Sequence, residues 1–153
     1  MIEIEIIPKI NEYGELININ EEYEKYYHIY FNDNKEEIKR KYINKDEKVR
    51  KIKIIIDSEI KSFYDLFYNC KCIESINFKK FFRKNITNMS GMFYECSSLK
   101  ELNLNNFNTN NVTNMSYIFC RCSSLKELNL NNFNYNNVTN MGSMFSGCSS
   151  LKE

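Results

Sequence analysis

The sequence predicts an α/β fold, namely a right-handed solenoid of 26-residue repeats with a small β-rich cap at the N-terminal end. Three observations predict it. A block of sequence recurs at constant spacing, each copy joins a helix-like spacing of apolar residues to a strand-like one, and the first 57 residues do not repeat. A fixed period of roughly 20 to 50 residues is the signature of stacked repeats.

The repeat copies are defined by three equivalent starts. Ile86, Val112 and Val138 begin copies whose spacing is 26 residues, and a degenerate copy precedes them. The predicted domains are therefore a cap over 1–57 and a repeat region over 58–153. The repeat region divides into 60–85 (copy 1), 86–111 (copy 2), 112–137 (copy 3) and an incomplete 138–153 (copy 4). One copy cannot bury its own apolar residues, whereas stacked copies can.

Each copy is predicted to form a short helix and then a short strand. Met89, Met92 and Phe93 are spaced i, i+3 and i+4, which favours one face of a helix. The stretch Leu99–Leu104 has the pattern L-x-x-L-x-L, which is typical of the strand in a leucine-rich repeat. Its polar residues alternate with leucines, so they are expected to point away from the core.

These residues also carry a family resemblance. The stretch Asn88–Leu104, NMSGMFYECSSLKELNL, resembles the BspA-like leucine-rich-repeat family, in the branch whose repeats are N-M-S-x-M-F-x-x-C-x-S-L. The resemblance extends over residues 60–153 and supplies scaffold positions only. It implies a surface or secreted protein that binds other proteins, or an intracellular repeat array, and it implies no enzyme chemistry.

The cap is predicted to be rich in strands. Ile2–Ile6 alternates apolar and acidic residues, as a half-buried strand does, and Leu16–Ile19 is a candidate hairpin partner for it. Tyr26–Phe31 and Lys51–Ile56 are further predicted strands because they are rich in β-branched and aromatic residues. Residues 35–45 fit either a helix or a second hairpin arm.

Charge and hydropathy exclude several classes of function. The net charge of +1 gives no footprint for nucleic acid or a membrane surface, and the basic clusters Lys39–Lys41 and Lys79–Lys84 are interpreted as solvated faces. The sequence predicts neither a signal peptide nor a membrane-spanning segment. This makes an intracellular location the default, while the resemblance implies the cell surface. The chain ends inside copy 4, which suggests a truncation or end-to-end self-association through an uncapped repeat.

The chemistry-bearing residues favour structural roles. Cys70, Cys96, Cys122 and Cys148 recur with the period, so they are predicted to be reduced, buried and small hydrophobic residues of the core. The two C-x-C pairs are too closely spaced for a structural zinc site. His28 has no predicted nucleophile beside it. The sequence therefore predicts no catalytic residue, no metal site and no cofactor.

Asparagine-rich motifs recur with the repeat and allow two interpretations. Asn88-Met-Ser90 and Asn114-Met-Ser116 match the acceptor pattern for N-glycosylation. Because they recur with the repeat, capping and turn hydrogen bonds are the default explanation, with glycosylation as the alternative.

The candidate binding surface is the outward face of the predicted strands. Its residues are Glu101, Asn103, Asn105, Glu127, Asn129 and Asn131, and the alternative is that the asparagines only form hydrogen-bonded ladders. Tyr117 and Tyr135 are further contact candidates because the copies differ there. The predicted function is a non-catalytic protein-interaction or adhesion module with an unidentified protein partner. The alternative is a structural or assembly segment of a longer repeat array.

Overall fold

The computed structural model describes residues 1–57, 60–82 and 84–152. These residues form seven strands and one 3-10 helix. The strands are β1 (Ile2–Pro8), β2 (Gly14–Glu15), β3 (Tyr27–Phe31), β4 (Tyr42–Ile43), β5 (Ile52–Ile56), β6 (Ile73–Phe81) and β7 (Glu101–Asn103), and the 3-10 helix is Glu21–Tyr26. The residues outside this description are Ser58, Glu59, Arg83 and Glu153. The predicted domain boundary between residues 57 and 58 therefore lies at the edge of the described residues.

A five-stranded mixed sheet organises the molecule. Its order is β3-β5-β1-β6-β7, with antiparallel pairing from β3 to β6 and parallel pairing between β6 and β7. Strand alternation drives the pairing, since every second residue of β1 and β5 is buried. The sheet contains strands from both sides of residue 57.

Most strand predictions in the first 57 residues are confirmed. The predicted strands Ile2–Ile6, Tyr26–Phe31 and Lys51–Ile56 correspond to β1, β3 and β5. The hairpin of β1 with Leu16–Ile19 is wrong, because β1 pairs with β5 and β6 instead. In the ambiguous stretch 35–45, Ile38 forms a bridge with Ile29, and β4 pairs with β2.

The predicted fold class, an α/β right-handed solenoid of the leucine-rich-repeat kind, is wrong. The protein is β-rich, and no α-helix occurs among the described residues. Each predicted helix is instead a turn segment, covering 64–69, 90–95, 116–121 and 142–147. The strand side also lacks a continuous parallel sheet, because copies 1 and 2 form β6 and β7 whereas residues 127–129 of copy 3 form no strand.

Hydrogen bonds explain why the turn segments are not helical. Alternate N–H groups donate to carbonyl oxygens of the following copy, as from Gly91 to Ser116 and from Phe93 to Ile118, both at 2.9 Å. The intervening N–H groups donate three residues back within the same copy, as from Tyr94 to Gly91 at 2.9 Å. An α-helix would direct all of these donors to the residue four positions earlier.

Backbone geometry enforces this pattern. Two positions in each turn segment adopt the left-handed region, with positive φ at Asp65, Gly91, Tyr117 and Ser143 and again at Asn69, Glu95, Arg121 and Gly147. A left-handed residue ends a right-handed helix, so two of them at a spacing of four residues leave no room for one. The i, i+3, i+4 apolar spacing therefore reflects successive tight turns.

A file of stacked phenylalanines runs through the turn segments. Phe67, Phe93, Phe119 and Phe145 stack in order, with ring centroids 5.7, 5.8 and 5.6 Å apart. The first three rings are fully buried, whereas Phe145 is 42% exposed. The apolar core thus continues from the sheet into copies 1 to 3 and opens at copy 4.

Candidate functional site

The predicted contact face lies on one side of the sheet and continues into copy 3. Parallel pairing places Ser75 opposite Glu101 and Asn77 opposite Asn103. Leu102, which lies between Glu101 and Asn103 in β7, points to the core and is buried. The alternation that forms β7 is therefore also what turns Glu101 and Asn103 outward.

These residues line an open cavity of about 800 Å³, here called the sheet-face cavity. Five of the six residues predicted for this face lie along it, namely Glu101, Asn103, Asn105, Glu127 and Asn129. Asn131, Tyr117 and Tyr135 are not in its lining. Ile76, Leu102 and Leu128 also line the cavity, so it combines apolar and polar groups.

The asparagines of the cavity hydrogen-bond within the protein. The Oδ1 atoms of Asn103 and Asn129 accept backbone N–H bonds from Asn105 and Asn131, each at 3.0 Å. Asn129 Nδ2 also lies 3.4 Å from Asn105 Oδ1, which links two copies. One bond of the predicted asparagine ladder is thus present, between Asn129 of copy 3 and Asn105 of copy 2.

The acidic residues of the cavity, unlike its asparagines, lack partners within the described residues. Lys100 Nζ pairs with Glu74 Oε1 at 2.9 Å. Within the described residues, Glu101 and Glu127 have no ion pair, and neither does Lys126. The cavity therefore presents two unpaired carboxylates on neighbouring copies together with the unpaired ammonium group of Lys126, and Leu102 and Leu128 also belong to its lining.

The polar face also extends onto β1 and β5, which the sequence analysis did not include in the site. In the sheet, Glu5 of β1 lies between Lys53 of β5 and Asn77 of β6. Lys79 Nζ contacts Glu5 Oε1 at 3.3 Å, and Lys80 Nζ contacts Glu3 Oε2 at 3.2 Å. The alternating acidic residues of Ile2–Ile6 were the signal for this extension.

Tyr117 and Tyr135 lie apart from the cavity and from each other. Tyr135 packs against Phe133, with 6.1 Å between ring centroids, and burial raises the pKa of its hydroxyl. Tyr117 belongs to the turn segment of copy 3 and lies 6.3 Å from the Tyr94 ring. The sequence grouped them only because the copies differ there.

The cysteines are packed into the core as free thiols. Cys96, Cys122 and Cys148 donate Sγ–H bonds to carbonyl oxygens of the preceding copy, at Phe67, Phe93 and Phe119, with distances of 2.9 to 3.1 Å. Burial raises the pKa of each of these thiols, and that of Cys72 to about 11. Raised pKa values disfavour the reactive thiolate. In the described part of the chain, no cluster of three or more cysteine, histidine or acidic residues is arranged to hold a metal ion.

His28 is held by two carboxylates. Its Nε2 lies 2.9 Å from Asp57 Oδ2, and its Nδ1 lies 3.2 Å from Glu37 Oε1. The hydrogen bond to Asp57 is the main cause of a raised His28 pKa, and Glu37 contributes to it. Glu37 also pairs with Lys39 at 2.8 Å. The arrangement joins β3, the loop after it and the end of β5.

The predicted basic clusters are paired with acids. Lys39, Arg40 and Lys41 contact Glu37, Glu47 and Glu24 respectively. Lys79 and Lys80 contact β1, as described above, and Arg83 lies outside the described residues. Across residues 1–57, 60–82 and 84–152, none of the helices has the length and apolar character needed to cross a membrane.

Fold and site together define a β-rich repeat protein whose candidate site is an open surface of mixed polar and apolar groups. Residues 61–153 match the family described as "Mycoplasma protein of unknown function, DUF285", and this match covers more than half of the chain. The chain belongs to that family. No curated protein and no solved structure matches it.

Proposed function

We propose that the chain is a non-catalytic protein-interaction module that binds a partner protein through the sheet-face cavity. The observation that carries the proposal is the pair of unpaired carboxylates, Glu101 and Glu127, on neighbouring copies around a cavity of about 800 Å³. Open, extended surfaces of repeat proteins commonly bind extended partners. The partner segment would place basic groups near the two carboxylates and an apolar group near Leu128, which is partly exposed.

Site-specific photo-crosslinking tests this proposal in the cells that make the protein. A photoreactive residue at Asn103 is expected to form one discrete adduct with a partner. The double charge reversal Glu101→Lys and Glu127→Lys should abolish that adduct. A photoreactive residue at Glu36, which is exposed and far along the chain from the cavity, is the matched control. The same adducts from both positions, or an adduct that survives charge reversal, would contradict the proposal.

Adhesion is the form of this function that needs a location outside the cell. Protease treatment of intact cells, followed by detection of this chain, distinguishes adhesion from an interaction inside the cell. Loss of the chain under that treatment supports adhesion, whereas protection restricts the proposed module to partners inside the cell.

The assembly alternative is favoured by one observation at copy 4. Met141 and Phe145 are exposed, although the equivalent residues of copies 2 and 3 are fully buried. The hydrogen bonds between turn segments run in one direction, since each copy donates N–H groups to the copy after it. End-to-end association would therefore place copy 4 donors against the carbonyl edge of copy 1 in a second molecule.

That carbonyl edge is partly covered. Asn18 donates its backbone N–H to Leu66 at 2.7 Å and its side-chain amide to Tyr68 at 2.8 Å. The alternative thus predicts that Asn18→Ala strengthens concentration-dependent association in analytical ultracentrifugation. Phe145→Ser should weaken it. A monomer at all concentrations for the parent and for Asn18→Ala would contradict the assembly alternative.

A further inference from the structure

A second cavity, of about 660 Å³, lies at the end of the sheet where β1 and β5 stop pairing. The last residues paired there are Ile6 and Ile52. Beyond them, residues 7–12 line one side of the cavity, here called the β1 side, and residues 45–50 line the other, the β5 side. This loop cavity shares no lining residue with the sheet-face cavity. Its volume falls in the range of about 300–1,000 Å³ that small-molecule sites have.

Hydrogen bonds to other parts of the protein hold the two sides of the loop cavity apart. On the β1 side, Lys9 donates its backbone N–H to the carbonyl oxygen of Cys72 at 2.8 Å. On the β5 side, Asn32 accepts the Arg50 backbone N–H at 2.8 Å and donates its side-chain amide to the Lys48 carbonyl oxygen at 3.3 Å. Within the described residues, no backbone hydrogen bond joins one side to the other. The cavity is therefore built into the fold, since each side is bonded away from the other.

Aliphatic side chains are exposed at the loop cavity. Along β1, the positions that point away from the core carry the acids Glu3 and Glu5 but then the apolar Ile7. Ile7 is 39% exposed, and Ile10 is 82% exposed. Val49 is partly exposed on the opposite side. An exposed apolar patch with a polar rim is a common mark of a binding site. The cavity thus offers an apolar surface to a ligand.

The charged groups of the loop cavity favour an anion. Three exposed cations of the β5 side form no ion pair within the described residues, namely Lys45, Lys48 and Arg50. Lys9 pairs with Glu12 at 3.2 Å, and Glu47 pairs with Arg40. Among the described carboxylates of the lining, only Asp46 has no ion pair. The unpaired groups therefore carry more positive than negative charge.

We propose that the loop cavity binds a small amphipathic anion, with a carboxylate or phosphate head and an aliphatic body. The head lies at the three unpaired cations, and the aliphatic body lies against Ile7, Ile10 and Val49. Burial of these side chains supplies affinity, and the cations select the charge of the head. A neutral or basic ligand would desolvate the cations without giving them partners. The concave shape favours a free molecule over a membrane surface, which would contact only the rim.

Isothermal titration calorimetry of the full chain with decanoate, below its micelle concentration, tests this proposal. Acetate lacks the aliphatic body and decyltrimethylammonium has the opposite charge, so we expect only decanoate to give saturable binding. Ile10→Ser should weaken it by about 10-fold, because the ligand buries most of that side chain. Lys48→Gln and Arg50→Gln should each weaken it by about 2- to 5-fold, the range of exposed charge pairs. Asp46→Asn should strengthen it by about 2-fold, because a repulsive charge is removed.

Two variants outside the loop cavity are the matched controls. Phe82 is 74% exposed and bonds to Met1, at the opposite end of β1 from the cavity. Lys61 is exposed in copy 1 and is not in the lining. Phe82→Ser and Lys61→Gln should bind decanoate as the parent does. Because Ile10 is also largely exposed, Ile10→Ser should keep the parental urea midpoint, which separates loss of binding from loss of folding.

The proposal is overturned if decanoate does not bind, or if acetate or decyltrimethylammonium binds equally well. It is also overturned if Ile10→Ser, Lys48→Gln and Arg50→Gln all keep the parental affinity. Flotation with phosphatidylglycerol vesicles distinguishes a free ligand from a membrane surface. Vesicle binding that Ile10→Ser abolishes, without decanoate binding in solution, would replace the proposed ligand by a membrane.

Discussion

The N-terminal strands and the turn segments satisfy their backbone hydrogen bonds in different ways. In β1, β3 and β5, extended backbone pairs with neighbouring strands, and alternate isoleucines fill the core. In the turn segments, left-handed residues occur in pairs four positions apart, and every second N–H reaches the next copy. Both arrangements satisfy the backbone laterally. The turn segments do so with tight turns, and therefore depend on residues that tolerate positive φ.

The largest expected effect tests the phenylalanine file. Phe93→Ala should lower the free energy of unfolding by about 3–5 kcal/mol, because the ring is fully buried between Phe67 and Phe119. Phe145→Ala removes the same group where it is half exposed, and should cost about 1 kcal/mol. Urea unfolding followed by circular dichroism measures both. Equal losses would show that copy 4 is packed like copy 2.

A smaller effect tests the asparagine bonds between copies. Asn132 Nδ2 lies 3.1 Å from each of the carbonyl oxygens of Leu104, Asn105 and Phe107 in copy 2. Asn132→Ala should cost about 1–3 kcal/mol, because these acceptors lose their donor. The adjacent Asn131→Ala is the control, with a change of about 0.5 kcal/mol or less in the same unfolding assay. A neutral Asn132→Ala would show that solvent serves these carbonyls equally well.

The smallest expected effect concerns pH and distinguishes the N-terminal region from the repeats. Because Asp57 and Glu37 raise the His28 pKa, the stabilisation from His28 is complete below its unfolded value of about 6.5. It is lost as the pH rises through the folded pKa. His28→Gln should therefore lower the urea midpoint at mildly acidic pH and leave it nearly unchanged at alkaline pH.

Lys39 and Glu37 keep the pH effect of His28 separate from that of the neighbouring carboxylate. Lys39 lowers the Glu37 pKa, so the contribution of Glu37 is lost only as the pH falls through the folded pKa of that acid. That window is more acidic than the window of His28. A His28→Gln difference that is larger at alkaline pH would contradict the assignment.

Thiol chemistry offers a further contrast within the repeats. Cys96 and Cys122 are fully buried, whereas Cys148 is partly exposed. In the native protein, a thiol reagent should modify Cys148 first and the inner cysteines only at the rate of unfolding. All six thiols should titrate after denaturation without reductant. A lower total would contradict the prediction that the cysteines are reduced.

The sequence predicted the strands well because their alternation has one physical explanation. Ile2–Ile6 and Lys51–Ile56 could only bury one face as strands. Met89, Met92 and Phe93 did not have a single explanation, since successive tight turns reproduce helical spacing. The missed signal was the recurrence of Asp65, Gly91 and Ser143 at one repeat position, where left-handed backbone suits small or short polar side chains.

The candidate site was predictable to a similar extent. Strand alternation identified Glu101, Asn103, Glu127 and Asn129, all of which line the cavity. The ring contacts that join Tyr68, Tyr94 and Tyr117 across copies 1 to 3 were not predicted, because these residues lie in turn segments that were assigned to helices.

Amide hydrogen exchange tests the central claim, that lateral hydrogen bonds hold the turn segments together as strongly as a sheet. The account predicts that the N–H groups of Gly91, Phe93, Tyr117 and Phe119 exchange as slowly as those of Ile4 and Ile54. The equivalent groups of Ser143 and Phe145, which have no acceptor among the described residues, should exchange fast. Fast exchange throughout the turn segments, with protection confined to β1, β3, β5 and β6, would contradict the account.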